Sequence, residues 1–379
     1  MKIPLLVPNL QGNEALYLKR CISDNWISSS GPLVSKFENK IANFVNQKYG
    51  VATVSGTSAL HLALLAAGVK PGDKVLIPDW TFAATANAVC QTGAIPYFVG
   101  VSNDSWCIDP ILLENILIKS KDNKSISAVI AVHALGHPAD MDAIRNVCEY
   151  ADIPLIEDAA GAIGSSYKGK TVGSLGQIAI FSFNGNKIIT TGGGGMVVTN
   201  NKNWANHIRH LSTQARSSDT YEHDEIGFNY RMTNLNAAVG LAQLERFDEI
   251  LEKKRNIASK YNEYLIENEN LSLMPHASWA DSNCWMYSVL CHTSKDANDL
   301  ISYLNSFDIE ANKFWQSLSS QIPYNKFPNL LSDVSKKLSD CLVVLPCSSS
   351  ITLKQQEKVI SRVLSWKKVN VPSSVVLHE

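Results

Sequence analysis

One lysine stands where chemistry could be done. Lys187 follows the turn signal Asn184-Gly185-Asn186, which breaks the apolar, strand-like run Ile178 to Phe183. A β-branched run, four glycines (Gly192 to Gly195) and the strand-like Met196-Val197-Val198-Thr199 come next. An amine held against two apolar strands loses hydration, which lowers its pKa and frees it as a nucleophile or base. That is what imine formation with a carbonyl requires. Asp158 is a second such group. It ends the apolar strand Pro154-Leu155-Ile156, at the place where open α/β sheets bind ligands. A buried carboxylate there is costly unless it meets a cation or a donor. Third, Ser55-Gly56-Thr57-Ser58 opens the strong helix former Ala59 to Gly68. Small hydroxyl residues and a glycine cap such a helix and leave N–H groups at its positive end, a cradle for phosphate. Fourth, Trp80 and Phe82 lie at a strand-to-helix junction and offer a flat face to a ring.

Taken singly, each feature also has an ordinary reading: a solvated lysine, a capping aspartate, a plain N-cap, a core aromatic. Together they are the four things pyridoxal phosphate needs: an amine for its aldehyde, an anion for its ring nitrogen, donors for its phosphate and apolar faces for its ring.

The elements that must position these groups alternate strand, helix, strand from residue 50 to about 180. The spacing predicts a helix over Leu33 to Val45, strands at Val51 to Val54 and Val75 to Ile77, and a helix opening at Trp80. A further strand, Ala128 to Leu135, carries His133 near its C-terminal end, and a helix follows over Met141 to Tyr150. This order implies an α/β fold with a largely parallel sheet and helices on both faces. Trp204 to Leu211 reads as a helix, residues 212–226 as a long polar loop, and Leu235 to about Leu265 as one long helix. From residue 266 the pattern changes to short strands (Met286 to Cys291) and helices (Ala297 to Phe307, Lys354 to Leu364). We expect a large domain over 1–265 and a smaller α/β domain over 266–379. Residues 1–30 read as a polar lead-in, in which Ser28-Ser29-Ser30 is either a turn or a pocket wall.

Lys plus Arg total 34 and Asp plus Glu 35, so no charge excess recruits nucleic acid or an anionic membrane. Local geometry must therefore hold any anionic ligand. Eight cysteines without a CxxC pair suggest buried thiols rather than a disulfide frame or a zinc site. No opening signal peptide and no apolar run of membrane-spanning length is visible, so a cytoplasmic protein without a resident metal is expected.

The motifs Ser55-Gly56-Thr57-Ser58-Ala59-Leu60-His61, Pro78-Asp79-Trp80-Thr81-Phe82, His133-Ala134-Leu135-Gly136, Glu157-Asp158-Ala159-Ala160, Ser182-Phe183-Asn184-Gly185-Asn186-Lys187 and Gly227-Phe228-Asn229-Tyr230-Arg231-Met232 carry a resemblance. From Pro8 to Leu364 the chain resembles the DegT/DnrJ group of nucleotide-sugar aminotransferases, fold type I of the pyridoxal-phosphate enzymes. The resemblance implies that Lys187 bonds covalently to the cofactor aldehyde and that Asp158 pairs with the ring nitrogen. It implies that Gly56, Thr57, Ser58 and Ser182 hold the phosphate and that Phe82 stacks on the ring. Asn229 would reach the phosphate of a neighbouring subunit across a homodimer with shared active sites. Ser29, His133, Lys313 and Trp315 are the expected substrate residues. Where many members carry His, Gln or Glu, this chain has Gly161. Asn312-Lys313-Phe314-Trp315 stands where some relatives carry Arg. The segments Asn184 to Thr191 and Ser212 to Arg216 are similar to those of bacterial enzymes that aminate a UDP-linked 4-keto-6-deoxy-N-acetylhexosamine with L-glutamate, for bacillosamine- or legionaminic-type surface sugars. The alternatives are a GDP- or dTDP-linked keto sugar, or a non-catalytic cofactor-binding regulator.

Overall fold

The structure, a computed structural model, describes residues 2–119, 125–217 and 221–367. Seven strands build most of the large sheet: β1 (Tyr49–Thr53), β2 (Lys74–Pro78), β3 (Ile95–Val99), β4 (Ile126–Val132), β5 (Leu155–Asp158), β6 (Ile178–Ser182) and β7 (Gly195–Thr199). After the helix Phe247–Leu265 come β8 (Leu271–Leu273), β9 (Tyr287–Cys291), β10 (Asn329–Leu330) and β11 (Leu342–Leu345). The large sheet runs β1-β7-β6-β5-β4-β2-β3-β10, and β7 alone runs against its neighbours. β8, β9 and β11 form a separate antiparallel sheet.

The central strands are apolar throughout because both faces of the sheet are covered. Along β4 the side chains alternate between two cores. Val129 and Ala131 enter one buried cluster, while Ala128, Ile130 and Val132 enter the other. The order of β2, β4, β5 and β6 places their C-terminal ends side by side, with Val132 opposite Asp158 and Asp158 opposite Ile180. The mostly parallel α/β sheet expected from the chain order is therefore present.

The chain after Leu265 builds the small sheet and also returns β10 to the edge of the large one, where Asn329 pairs with Phe98. The N-terminus does the converse: Ile3 bonds to Asp308 and Glu310 of the later segment.

Three local expectations are corrected. The single long helix is two, Asn234–Leu244 and Phe247–Leu265. At the break, Glu245 is held by Asn13 and Tyr17, and Arg246 bonds to Glu249 and Asn9. These tertiary bonds compete with helix continuation, which periodicity cannot show. The polar lead-in contains a helix, Glu14–Ser23, packed on Asn234–Leu244. The helix expected at Trp80 begins at Ala83, because the chain bends at Asp79 to Thr81, Phe82 is extended as the N-cap, and the bend is tied down: Trp80 Nε1 donates to the Trp315 carbonyl at 3.3 Å. All eight cysteines are free, and Cys90 is exposed rather than buried. Among the described residues no helix is long and apolar enough to cross a membrane, and no cluster of His, Cys, Asp or Glu could hold a metal ion.

Candidate active site

Four C-terminal strand ends and one helix start surround a cavity of about 390 Å³. Ser55, Gly56 and Thr57 line one side, Phe82 and Thr85 another, and Asp158, Ser182, Asn186 and Lys187 close the base.

The helix Gly56–Ala66 begins directly after β1. Ser55 is its N-cap: its Oγ accepts from the Ser58 N–H at 3.1 Å, and its carbonyl accepts from Ala59. The first N–H groups of a helix have no partner within it. With those of Ser58 and Ala59 used, the N–H groups of Gly56 and Thr57 are left for a ligand at the positive helix end. Glycine is needed at 56 because a Cβ there would lie 2.8 Å from Cβ of Ser182. That close approach brings the Ser182 hydroxyl to the same rim.

Asp158 is 5% exposed. Its Oδ2 accepts from Thr85 Oγ1 at 2.9 Å and its Oδ1 from the Ala160 N–H at 3.2 Å. Burial raises its pKa, and those two donors, with Lys187 and His133 nearby, only partly oppose this. A carboxylate with unused acceptor capacity at a cavity floor calls for another donor from a ligand.

Lys187 lies in the connection between β6 and β7. Its backbone N–H bonds back to Asn184, and the Phe183–Thr191 hydrogen bond closes the loop behind it. Burial lowers its pKa to about 7, and the attraction of Asp158 only partly offsets this. Around neutrality, then, a large share of this amine is uncharged. The side-chain oxygen of neighbouring Asn186 is buried without a hydrogen-bond partner among the described residues, so it too has room for a ligand donor.

Phe82 keeps 61% of its surface exposed beside the cavity, so its ring face is free for stacking. Together these residues fit pyridoxal phosphate: unspent N–H and hydroxyl donors, a ring face, a buried carboxylate short of a donor, and an amine with a lowered pKa.

The remaining sequence candidates divide. Trp315 lines the cavity. His133 also lines it, but both ring nitrogens are engaged. Nδ1 accepts from the Ala139 N–H at 3.1 Å and Nε2 meets Glu157 Oε2 at 3.1 Å. Glu157 in turn accepts from the N–H groups of Gly173, Leu175 and Gly176. That buried pair braces the frame and leaves no imidazole nitrogen for a substrate. Lys313 lies outside the cavity, with Nζ 3.2 Å from Ser294 Oγ. Ser29 and Asn229 are also outside the cavity, Asn229 exposed and Ser29 half-buried.

Sequence reasoning missed Thr85, Asn186, Trp285 and Phe314, all of which line the cavity. Asn186 stood within a motif already singled out, and Thr85 in the helix expected after Trp80. Phe314 stood in the segment Asn312 to Trp315, also singled out, whereas Trp285 had no local signal, since it arrives from the later segment by tertiary folding.

The chain is 39% identical over 371 residues to EpsN of Bacillus subtilis (strain 168), whose name carries the words pyridoxal phosphate-dependent aminotransferase. The match covers 96% of this chain and 95% of that one. It is 37% identical over 374 residues to a GDP-perosamine synthase of Escherichia coli O157:H7, covering 98% of this chain and 93% of the relative. Its fold superposes on the crystal structure of a DegT DnrJ EryC1 StrS aminotransferase from Brucella abortus with a TM-score of 0.88 and 26% identity, covering 93% and 95% of the two chains. Residues 8–364 match one family over nearly the whole length, and the chain thus belongs to the DegT/DnrJ/EryC1/StrS aminotransferase family.

Proposed function

We propose that this enzyme moves the amino group of L-glutamate to the 4-keto carbon of a nucleotide-linked 4-keto-6-deoxy sugar, using pyridoxal 5′-phosphate. The observation that carries the reading is the meeting, in one cavity, of the Lys187 amine, the buried Asp158 carboxylate and an unspent helix N-terminus.

When bound, the cofactor supplies an electron sink and a carrier for the amino group between two half-reactions. The chain's own residues do the rest. Gly56 and Thr57 N–H groups, with the hydroxyls of Thr57 and Ser182, would hold the phosphate, while Ser58, expected to join them, lies outside the cavity lining with its Oγ 2.8 Å from Ser55 Oγ. Phe82 covers a ring face and excludes water from it. Asp158, oriented by Thr85 and Ala160, would hold the ring nitrogen and keep its proton in place. Lys187 Nζ holds the cofactor aldehyde carbon at rest. Freed from that carbon, Nζ would take a proton from the donor's α-carbon in the first half-reaction and, as an ammonium, would give one to the sugar carbon in the second. A homodimer in which Asn229 reaches the neighbouring site completes this reading, and the exposure of Asn229 supports it.

Two nucleotide readings have support. The resemblance of residues 184–191 and 212–216 favours a UDP-linked N-acetylhexosamine. The relatives named GDP-perosamine synthase, in Escherichia coli O157:H7, Vibrio cholerae and Caulobacter vibrioides, favour a GDP-linked sugar. Purified protein given L-glutamate and a panel of UDP-, GDP- and dTDP-linked 4-keto sugars, with products read by mass, tests both. An amino sugar from one nucleotide class identifies the substrate. No nitrogen transfer to any keto sugar sinks the reading.

A further inference from the structure

Trp285 reaches the site from just before β9 and touches the reactive lysine at two places. The centroid of its ring lies 3.5 Å from Lys187 Nζ. Its Nε1–H donates to the carbonyl of Asn186 at 2.7 Å, the peptide bond that leads into Lys187. The tryptophan is 3% exposed, whereas Lys187 is half-buried and lines the cavity, so the indole covers the amine on the side away from the cavity mouth.

The tryptophan is itself anchored. Its backbone N–H donates to Asn283 Oδ1 at 2.9 Å, and its carbonyl accepts from the buried Lys254 Nζ at 2.8 Å. Asn283 Nδ2 donates to the carbonyls of Gly161 and Ile163, at 2.9 and 2.8 Å, which ties the tryptophan to the loop after Asp158. Phe314 and Trp315 pack near its ring, with centroids 6.0 and 6.3 Å away.

The space for the indole depends on Gly161. A Cβ at that position would come within 2.2 Å of Trp285 Cε3, inside any real contact distance. Gly161 and Trp285 are therefore one device: the missing side chain at 161 is the volume that the indole fills.

We propose that Trp285 is the positioning residue for Lys187, gripping its backbone through Asn186 and closing its amine off from water, with Gly161 keeping room for the ring. The proposal rests on Lys187 being the lysine that holds the cofactor. The ring has two opposed effects on the amine. Its face attracts the charged form, and its bulk removes the water that would stabilise that form. Desolvation is the larger cause of the lowered pKa of Lys187, so uncovering the amine restores its charge.

The test uses the cofactor-loaded enzyme. Borohydride reduction and peptide mass first locate the tagged residue. A tag elsewhere than Lys187 sinks the function reading and this proposal with it. With the tag on Lys187, Trp285→Phe keeps a ring but has no N–H for Asn186. Its kcat falls about tenfold, while KM for L-glutamate stays within about threefold, as expected for a misplaced reacting group. Trp285→Ala admits water, and after removal of the cofactor the pH midpoint for its covalent recapture by the free Lys187 amine, followed by visible absorbance, rises by about one unit. If that variant does not fold, Gly161→Ala, whose methyl pushes the indole away, is read for the same shift. Either quantity remaining at its wild-type value, with Lys187 still tagged, overturns the proposal.

Discussion

The two ends of the cavity are built differently. The phosphate end is one helix start: Ser55 to Ser58 are consecutive, and the cap and the unspent N–H groups follow from local backbone geometry. The amine end is assembled from far apart. Lys187 comes from the β6–β7 connection, Asp158 from the end of β5, Thr85 from the helix Ala83–Gln91, and Trp285 from beyond the helix Phe247–Leu265. A local motif can supply donors, because the backbone itself carries them. Tuning an amine needs burial, and burial is a property of what the rest of the chain lays over it.

If this contrast is correct, damage at the amine end should abolish chemistry, and damage at the phosphate end should mainly loosen binding. Lys187→Ala should remove the visible absorbance of the holoenzyme and lower turnover about 10²–10⁴-fold or more, measured as sugar-product formation. An active Lys187→Ala enzyme would break the contrast at its root. Asp158→Ala is expected next, with kcat reduced at least about a hundredfold and circular dichroism unchanged. Near-normal turnover there would remove the ring partner. At the other end, Gly56→Ala sets a methyl against Ser182 and should weaken cofactor retention about tenfold, seen by dialysis and absorbance, while the kcat of loaded enzyme stays within about threefold.

Stability sharpens the same comparison. Glu157→Gln leaves His133 and three backbone N–H groups facing a poorer acceptor, and should cost about 1–3 kcal/mol in denaturant unfolding. A pH effect reads the burial of the amine directly. In the cofactor-free chain Lys187 has a folded-state pKa of about 7 against 10.5 unfolded. Between those values the unfolded chain binds more protons, so the stabilising effect of raising pH grows from about 7 and is complete by 10.5. The difference in thermal midpoint between wild type and Lys187→Met should therefore close as pH rises through that window. A difference independent of pH would show an amine with an ordinary pKa.

The mostly parallel sheet and the capped helix start at Ser55 were legible because they are written in short periodic runs and consecutive residues. Val75 to Ile77, Leu155 to Ile156 and Ile178 to Phe181 are apolar in unbroken stretches, as strands covered on both faces must be. The helix break at Glu245–Arg246 was not legible, since it follows from bonds to Asn9, Asn13 and Tyr17 in the N-terminal segment. His133 and Lys313 show the reverse failure. Both residue types suit a substrate, yet Glu157 and Ala139 occupy the histidine, and the lysine turns to Ser294.

Sequence by itself thus determined the parallel frame, the helix-end donors and the lysine and aspartate at strand ends, because backbone geometry and hydrophobic periodicity act over a few residues. Only the tertiary structure decided which of these groups are desolvated, which are already bonded, and that an indole from a distant segment fills the space above Gly161. Burial and shape complementarity depend on atoms brought together from the whole chain, and no local pattern records them.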